Sequence, residues 1–310
     1  MKKLVPILLL VALVIGACGS GSNVVAATVD GTDITVGDVE ALLDVEGSTI
    51  PKDQFAQFLG FAVQWEVINV AASEQYGIEF TEEEVAAEAD RIYEAANADE
   101  TREEFVASRG VTEEFLLNIS RQGLLDLAVR EELSNEISQP TQAEIDAEMQ
   151  LALASLTQVC VSHILVDTEG EAQEAADRVN GGEDFGVVAS ELSQDTVSAE
   201  NDGILPCGPA GQYVPEFRDA ALVAPIGEVY DTLVESQFGF HVMLVTDRVD
   251  PEADALPTED EIVVNLTATA IAAELEIWFR TAMTAADVTV DEAYGIWQTT
   301  PEPGVVPPIQ

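Results

Sequence analysis

The sequence predicts an α+β protein, on three observations from different parts of the chain. Residues 37–154 carry apolar positions at helical spacing behind repeated helix-start signals. From Ser155 to residue 250, short apolar runs typical of strands alternate with short helical segments. A long helical pattern then predicts one more helix near 259–285. At 310 residues, the chain is long enough for two folding units.

The first elements are a strand pair followed by a series of helices. Asp30-Gly31 between two apolar runs predicts a hairpin, and apolar residues at helical spacing predict a helix over 51–74. Several later helices begin at a threonine with a glutamate three residues on, which is the capping-box pattern. These threonines are Thr81, Thr101 and Thr141, with an imperfect box at Thr112.

The second part of the chain predicts strands near 156–166, 228–234 and 240–249, separated by helices near 169–179, 184–192 and 214–224. An acidic, proline-bearing linker follows at 251–257, and Thr258 with Glu261 caps the last helix. Four prolines within 299–310 predict a disordered tail. The predicted segments are 1–18, 19–154, 155–250, 251–298 and 299–310.

The N-terminus predicts export from the cytoplasm. Two lysines precede an apolar run from Leu4 to Ile15, which is shorter than the roughly 20 residues that a membrane span needs. The next residues, Gly16-Ala17-Cys18, resemble with Ile15 the lipobox of bacterial lipoproteins, in which the cysteine carries lipid. The alternative is an ordinary signal peptide, residues 1–18, with an incidental cysteine.

The charge of the chain excludes whole classes of partner. Its 58 acidic and 12 basic residues give a formal net charge of −46, which argues against nucleic acid and against anionic membrane surfaces. The acidic residues are spread along the sequence and nowhere show the spacing of a calcium-binding loop. This distribution favours a role in solubility, as in saline surroundings.

Cys160 and Cys207 form an even pair once Cys18 is assigned to lipid, so a disulfide is expected in an exported protein. Two free thiols are the alternative. A metal site shared with His163 is disfavoured, because side chains alternate along a strand and Cys160 then points away from His163.

The chain contains two histidines, and each lies in a short apolar, strand-like run. Residues 159–248 resemble a parvulin-type peptidyl-prolyl isomerase domain. The resemblance rests on five stretches in the family's order: Val161-Ser162-His163-Ile164-Leu165-Val166, Gly182-Glu183-Asp184-Phe185, Leu192-Ser193-Gln194-Asp195, Gly211-Gln212-Tyr213-Val214-Pro215-Glu216-Phe217 and Gln237-Phe238-Gly239-Phe240-His241-Val242. The whole chain resembles extracytoplasmic foldases of the PrsA and SurA kind, through Val29–Thr35 and Val288–Trp297.

The resemblance implies a parvulin domain, a four-stranded antiparallel sheet with surrounding helices, inserted in a mainly helical chaperone domain. It implies a peptidyl-prolyl cis-trans isomerase that needs no cofactor and acts on unfolded secreted polypeptides with X-Pro bonds. Its location would be extracytoplasmic, on a lipid anchor. The implied catalytic residues are His163, Asp195 and His241; Tyr213, Phe217 and Gln212 are the implied substrate-binding residues, with Ser236 as a further neighbour.

The sequence also departs from the family pattern. The family usually has a Trp-Phe pair where this chain has Cys207 and Gly208, so one wall of the proline pocket is in question. This departure favours a rival hypothesis, a non-catalytic holdase with a relic isomerase domain. A structural role is also compatible with the histidine pair, which could hold the sheet. Phe217 and Tyr213 could be plain core residues, and Asp195 could simply cap a turn. A solute-binding lipoprotein fits poorly, because the strand–helix alternation of a doubly wound fold is missing.

Overall fold

The computed structural model describes residues 23–43, 50–96 and 100–308. Cys18, the predicted lipid carrier, and the signal segment lie outside these residues. Contacts divide the chain into two compact units. The first unit takes the chain up to Ile137 and again from Thr269, and the second is Ser138–Ala268.

The elements of the described residues are, in chain order, β1 (Val25–Val29), β2 (Thr32–Thr35), α1 (Val36–Glu40), α2 (Lys52–Tyr76), α3 (Glu82–Ala95), α4 (Arg102–Ala107), α5 (Glu113–Glu136), α6 (Gln142–Leu156), β3 (Gln158–Val166), α7 (Glu169–Asn180), α8 (Phe185–Leu192), α9 (Thr196–Ala199), β4 (Gly208–Pro209), α10 (Pro215–Val223), β5 (Val234–Ser236), β6 (Gly239–Val249), α11 (Glu259–Ala285), β7 (Val288–Val290), β8 (Ile296–Gln298) and β9 (Gly304–Val306). Short 3-10 turns lie at Ala210–Gln212 and Ala253–Ala255.

The unit boundary lies earlier than the strand pattern predicts. The change from a helical to a strand-like pattern predicts a boundary at residue 155. Helix α6, however, packs on the turn Ala210–Gln212 and on β4, both in the second unit. Helix α6, which precedes β3, therefore belongs to the same unit as the sheet that contains β3. Its predicted capping box is present: Thr141 Oγ1 accepts from the Glu144 N–H, and the Glu144 carboxylate accepts from the Thr141 N–H.

The first unit is built around a small antiparallel sheet in the order β2-β1-β7, as far as the structure describes it. Asp30 and Gly31 make the hairpin turn, both at positive φ, as the sequence predicts. The buried face of α2 covers the sheet with Phe55, Leu59 and Val63. The capping boxes at the starts of α3 and α4 are confirmed.

The prediction of a disordered tail is wrong for residues 299–308. Strand β9 pairs with β8 and packs on α2, where Gln64 Nε2 donates to the Pro303 carbonyl at 2.7 Å. Gly60 makes this approach possible, because a Cβ at that position would lie 3.2 Å from the Val305 nitrogen. The prolines predicted disorder, but the tail packs on α2, where Val305 is partly buried.

One helical segment among the described residues, Ala253–Ala285, is long and apolar enough to cross a membrane, with a mean hydropathy of 1.5. Core helices pass the same test of length and composition. In this segment Trp278 and Met283 are buried in the core of the first unit. Its most apolar stretch is nevertheless only 11% buried, so burial does not assign the segment to the core.

The second unit contains an antiparallel sheet whose described strands run in the order β4-β3-β6-β5. Helix α10 covers one face with Phe217 and Ala221, and α7 and α8 cover the other with residues such as Ala175 and Val188. The strand predicted over 228–234 is shorter, because residues 226 and 229 make only isolated bridges to β6 and regular pairing begins at Val234. The sheet is otherwise the one that the resemblance implies.

Candidate active site

The two central strands bring the histidines together. In the register of β3 and β6, His163 lies opposite Met243 and His241 lies opposite Leu165, so the two imidazoles are diagonal neighbours on one face. Their Nδ1 atoms are 3.2 Å apart. Both residues are buried, with 5% and 4% of their surface exposed. The two histidines predicted from sequence are therefore hydrogen-bonded to each other on one buried face of the sheet.

A loop that follows β3 along its outer edge carries Asp195 to the pair. The Gln194 N–H donates to the Leu165 carbonyl at 2.7 Å, and the Ser193 hydroxyl accepts from the Leu165 N–H. Asp195 then caps α9, and its Oδ2 lies 2.9 Å from His163 Nε2. Backbone pairing to the strand thus fixes the carboxylate beside the imidazole.

Two serines complete the network. Ser236 on β5 lies 2.7 Å from His241 Nε2, and its hydroxyl also accepts from the Phe238 N–H. The Ser198 hydroxyl donates to Asp195 Oδ2 at 2.7 Å and lies 3.0 Å from His163 Nε2. Sequence reasoning missed Ser198. The available signal was its position three residues after a capping aspartate, where a side chain can reach back to the cap.

The protonation states follow from the surroundings. Burial lowers the pKa of His163, and burial together with His163 lowers the pKa of His241 to about 4. Partial burial would raise the pKa of Asp195, but hydrogen bonds from Ser198 and His163 outweigh it and lower the pKa. At neutral pH the site therefore holds two neutral imidazoles and one carboxylate.

These states give the hydrogen bonds one direction. An ionised Asp195 can only accept, so His163 carries its proton on Nε2 and leaves Nδ1 as an acceptor. His241 then donates from Nδ1 and accepts on Nε2 from the Ser236 hydroxyl. The chain runs from Ser236 through both rings to Asp195, and every member has a partner.

Aromatic rings close the site on the side of α10. The ring centroid of Phe217 lies 5.7 Å from His163 and 5.1 Å from His241, both edge-to-face. Tyr213 packs on Phe217 at 4.9 Å, and its hydroxyl donates to the Pro206 carbonyl. The structure therefore brings two of the three predicted substrate-binding residues into contact with each other and, through Phe217, with the imidazoles.

Gln212 does not contact the histidine pair. Its side chain lies over Gly208, where an added Cβ would come within 2.9 Å of the amide nitrogen. Gly208 is one of the two positions at which the family usually has an aromatic residue. Gln212 and Tyr213 thus cover the segment that lacks the expected aromatic pair.

A disulfide joins Cys160 on β3 to Cys207 just before β4, with Cα atoms 4.3 Å apart. The same loop pairs with β3 through the His163 N–H, which donates to the Gly203 carbonyl at 2.8 Å. Gly203 has φ +74°, and a Cβ there would lie 2.6 Å from the His163 carbonyl oxygen. The loop therefore follows the strand closely on both sides of the histidine.

Among the described residues, no group of three or more His, Cys, Asp or Glu side chains is placed to hold a metal ion. Cys160 is bonded to Cys207 and is therefore not available as a thiolate ligand beside His163. The Asp195 carboxylate accepts hydrogen bonds from His163 and Ser198.

The amino-acid sequence is similar to those of known prolyl isomerases. Residues 150–249 match the family described as a PPIC-type PPIASE domain. Foldase protein PrsA of Halalkalibacterium halodurans is 33% identical over 221 residues, which cover 68% of this chain and 66% of that one. Foldase protein PrsA of Oceanobacillus iheyensis is 30% identical over 234 residues, which cover 72% and 73%.

Among solved structures, the crystal structure of peptidylprolyl isomerase (PrsA) from Bacillus cereus covers 88% of this chain and 95% of that one. The two are 24% identical, with a TM-score of 0.36. The parvulin of Nitrosopumilus maritimus is 36% identical over 29% of this chain and 97% of its own length, with a TM-score of 0.28.

Proposed function

The chain belongs to the family of PrsA foldases, parvulin-type peptidyl-prolyl isomerases, and on this premise we propose that it is a membrane-anchored extracytoplasmic isomerase and chaperone. Its substrates are unfolded or partly folded secreted polypeptides with X-Pro bonds. The anchor is a lipid on Cys18, after removal of the signal segment. The sequence before Cys18 supports export and lipidation.

The catalytic problem is a rotation barrier of roughly 18–20 kcal/mol that comes from amide resonance. Resonance places negative charge on the carbonyl oxygen and a partial double bond between carbon and nitrogen. A catalyst must favour the twisted amide, in which this conjugation is lost. Each ~1.4 kcal/mol of selective stabilisation raises the rate about tenfold.

In our proposal, Asp195 lies beside the substrate carbonyl and disfavours the resonance form that puts negative charge on its oxygen. His163 and His241 hold the carboxylate in place as a neutral, fully hydrogen-bonded floor. Phe217 and Tyr213 take the proline ring, and Gln212 covers the neighbouring backbone. The fixed arrangement requires little reorganisation when the amide twists.

The observation that carries this proposal is the half-exposed Asp195 at the end of a buried polar chain. Its side chain is 27% exposed, whereas that of His163 is 7% exposed. Besides capping α9, this carboxylate is the one charged group of the polar chain that a bound substrate can reach. Such a perturbed acid next to buried imidazoles is typical of functional sites.

The test compares protein that begins at Gly19 with its Asp195→Asn variant in the isomerisation of a short proline peptide. Asparagine keeps the helix cap of α9 and removes the charge, so we expect catalytic efficiency to fall by about tenfold or more with the fold intact. Asp247→Asn, which changes an exposed aspartate farther along β6, is the matched control and should keep full activity.

A second candidate function, a non-catalytic holdase, is favoured by the replacement of the usual aromatic pair with Cys207 and Gly208. No acceleration by the unmodified protein, together with suppressed aggregation of an unfolded client, would establish this alternative. Equal rates for Asp195→Asn and the unmodified protein would instead remove the carboxylate charge from the mechanism.

A further inference from the structure

A groove of about 630 Å³ lies in the first unit, between α2 and the terminal segment that carries β9. Helix α11 contributes Phe279 to one wall. The volume falls within the roughly 300–1,000 Å³ that is usual for ligand sites, enough for a few side chains of an extended peptide. The groove belongs to a different unit from the histidine pair, so prolyl isomerisation does not account for it.

The apolar part of the groove is aromatic and continuous with a larger cluster. Phe61 and Phe279 line it together with Val305 of β9. The Phe61 ring stacks on Trp65 with centroids 6.1 Å apart and meets Phe58 edge-to-face at 5.8 Å. These rings are half-buried rather than fully buried. Flat aromatic faces fit apolar side chains of different shapes, so this surface suits a varied set of ligands.

The polar part of the groove contains amides and carboxylates. Gln57 and Gln64 line it, and amide side chains can both donate to and accept from a peptide backbone. The charged residues that line it are Asp53 and Glu302, both acidic, and no basic residue is present among its described lining residues. Apolar walls beside Asp53 and Glu302 therefore favour an occupant that is apolar and positively charged.

We propose that this groove binds extended, unfolded segments of client polypeptides in which apolar residues are flanked by lysine or arginine. Charge complementarity selects this occupant, because cations meet Asp53 and Glu302 while apolar side chains cover Phe61. A second copy of the chain would bring more negative charge to the rim, given its net charge of −46. The inference rests on the proposed foldase function and names the kind of client that it holds.

The experiment measures the fluorescence anisotropy of two short, unstructured, proline-free peptides with the same apolar residues, flanked either by lysine or by glutamate. We expect the lysine peptide to bind at least tenfold more tightly. Asp53→Asn combined with Glu302→Gln should weaken its binding about fivefold. The control, Glu94→Gln combined with Glu131→Gln, makes the same charge change at exposed positions on α3 and α5 outside the groove and should have no effect.

A second pair of variants tests the apolar part of the groove. Phe61→Ala should weaken binding of the lysine peptide about tenfold, whereas Leu127→Ala, which removes a side chain exposed on α5, should not. Melting followed by tryptophan fluorescence verifies that each variant keeps its first unit folded. Isomerisation of a short proline peptide, measured in parallel, should be the same in all four variants.

Several results would overturn the inference. Equal affinity for the two peptides, or an equal loss in the matched charge control, would show that the groove does not select the ligand. Unchanged binding in Phe61→Ala would show that the Phe61 ring does not contribute to peptide binding. Self-association that Phe61→Ala abolishes, without peptide binding, would assign the groove to a second copy. Failure to isomerise proline peptides would count against the proposed function alone, because the binding peptides contain no proline.

Discussion

The two units treat polar side chains in opposite ways. In the second unit, Ser236, His241 and His163 are linked inside the sheet into a chain that ends at Asp195. In the first unit, Thr81 and Thr101 form capping boxes at exposed helix starts, and Phe58, Phe61 and Trp65 of α2 are half-buried. A buried polar chain enforces one geometry, because each lost partner carries a desolvation penalty. An aromatic surface tolerates many partners. The contrast matches the proposed division of catalysis and client binding between the two units.

The chain itself offers a way to observe the units separately. Its three tryptophans, Trp65, Trp278 and Trp297, all belong to the first unit. Tryptophan fluorescence therefore reports on the first unit, and hydrogen exchange of the β3 and β6 amides reports on the second. Each perturbation below should change one signal and leave the other unchanged.

The largest effect is expected from the disulfide. Replacing Cys160 and Cys207 together by serine should lower the free energy of unfolding of the second unit by about 4 kcal/mol, because the bond closes a long loop in the unfolded chain. Hydrogen exchange of β3 and β6 should accelerate, while the tryptophan signal melts as before. A loss of stability confined to the tryptophan signal would contradict the assignment of separate units.

Acid should act next, through His241. Its pKa is about 4 in the folded state against an ordinary 6.5, so between these values the unfolded chain binds more protons and stability falls as the pH falls. The lowered pKa of Asp195 acts in the same direction at lower pH. From pH 7 to pH 4, the contribution of His241 should fall by up to about 3 kcal/mol.

Relief of repulsion among the acidic residues opposes this trend over the same range, so the measurement is the difference between the unmodified protein and His241→Asn. Denaturation of the second unit at several pH values should show a slope that the variant has lost. Parallel pH profiles for the two proteins would contradict the lowered pKa of His241.

The smallest effect is expected at a helix cap of the first unit. Thr81→Ala removes the hydroxyl that accepts from the Glu84 N–H, so the first unit should lose about 1 kcal/mol. Thr81→Ser keeps the acceptor and should restore most of this loss. Isomerisation of a short proline peptide should be unchanged in both variants. If the alanine variant lost isomerase activity, the two units would not be independent.

Local chemistry predicted the parts of this molecule that depend on neighbouring residues. Capping boxes at Thr81, Thr101 and Thr141 are all formed, because a threonine and a glutamate three residues apart suffice to make them. The meeting of His163 and His241 needed more than the strand pattern. Family resemblance supplied the register that places the two histidines side by side.

Sequence reasoning failed where distant surfaces decide the structure. The segment around Val305 contains turn-forming prolines, but Gly60 on α2 gives it a surface to pack on. No local pattern reveals that partner. Ser198 was missed for a similar reason: its contact with His163 depends on a loop that pairs with the edge of β3. The unit boundary was displaced because α6 packs forward, onto elements that follow it in the chain.

The sheet of the first unit sets an order of events in biogenesis. Strand β1 pairs with β7, so Val29 cannot pair with Val288 until the later part of the chain has been synthesised. As the polypeptide is synthesised from its N-terminus, every residue of the second unit emerges before that pairing can close. The isomerase domain can therefore finish folding while β1, already paired with β2, still has its other edge open. A stalled or truncated chain would carry a complete isomerase on an open sheet edge, a state prone to pair with other strands.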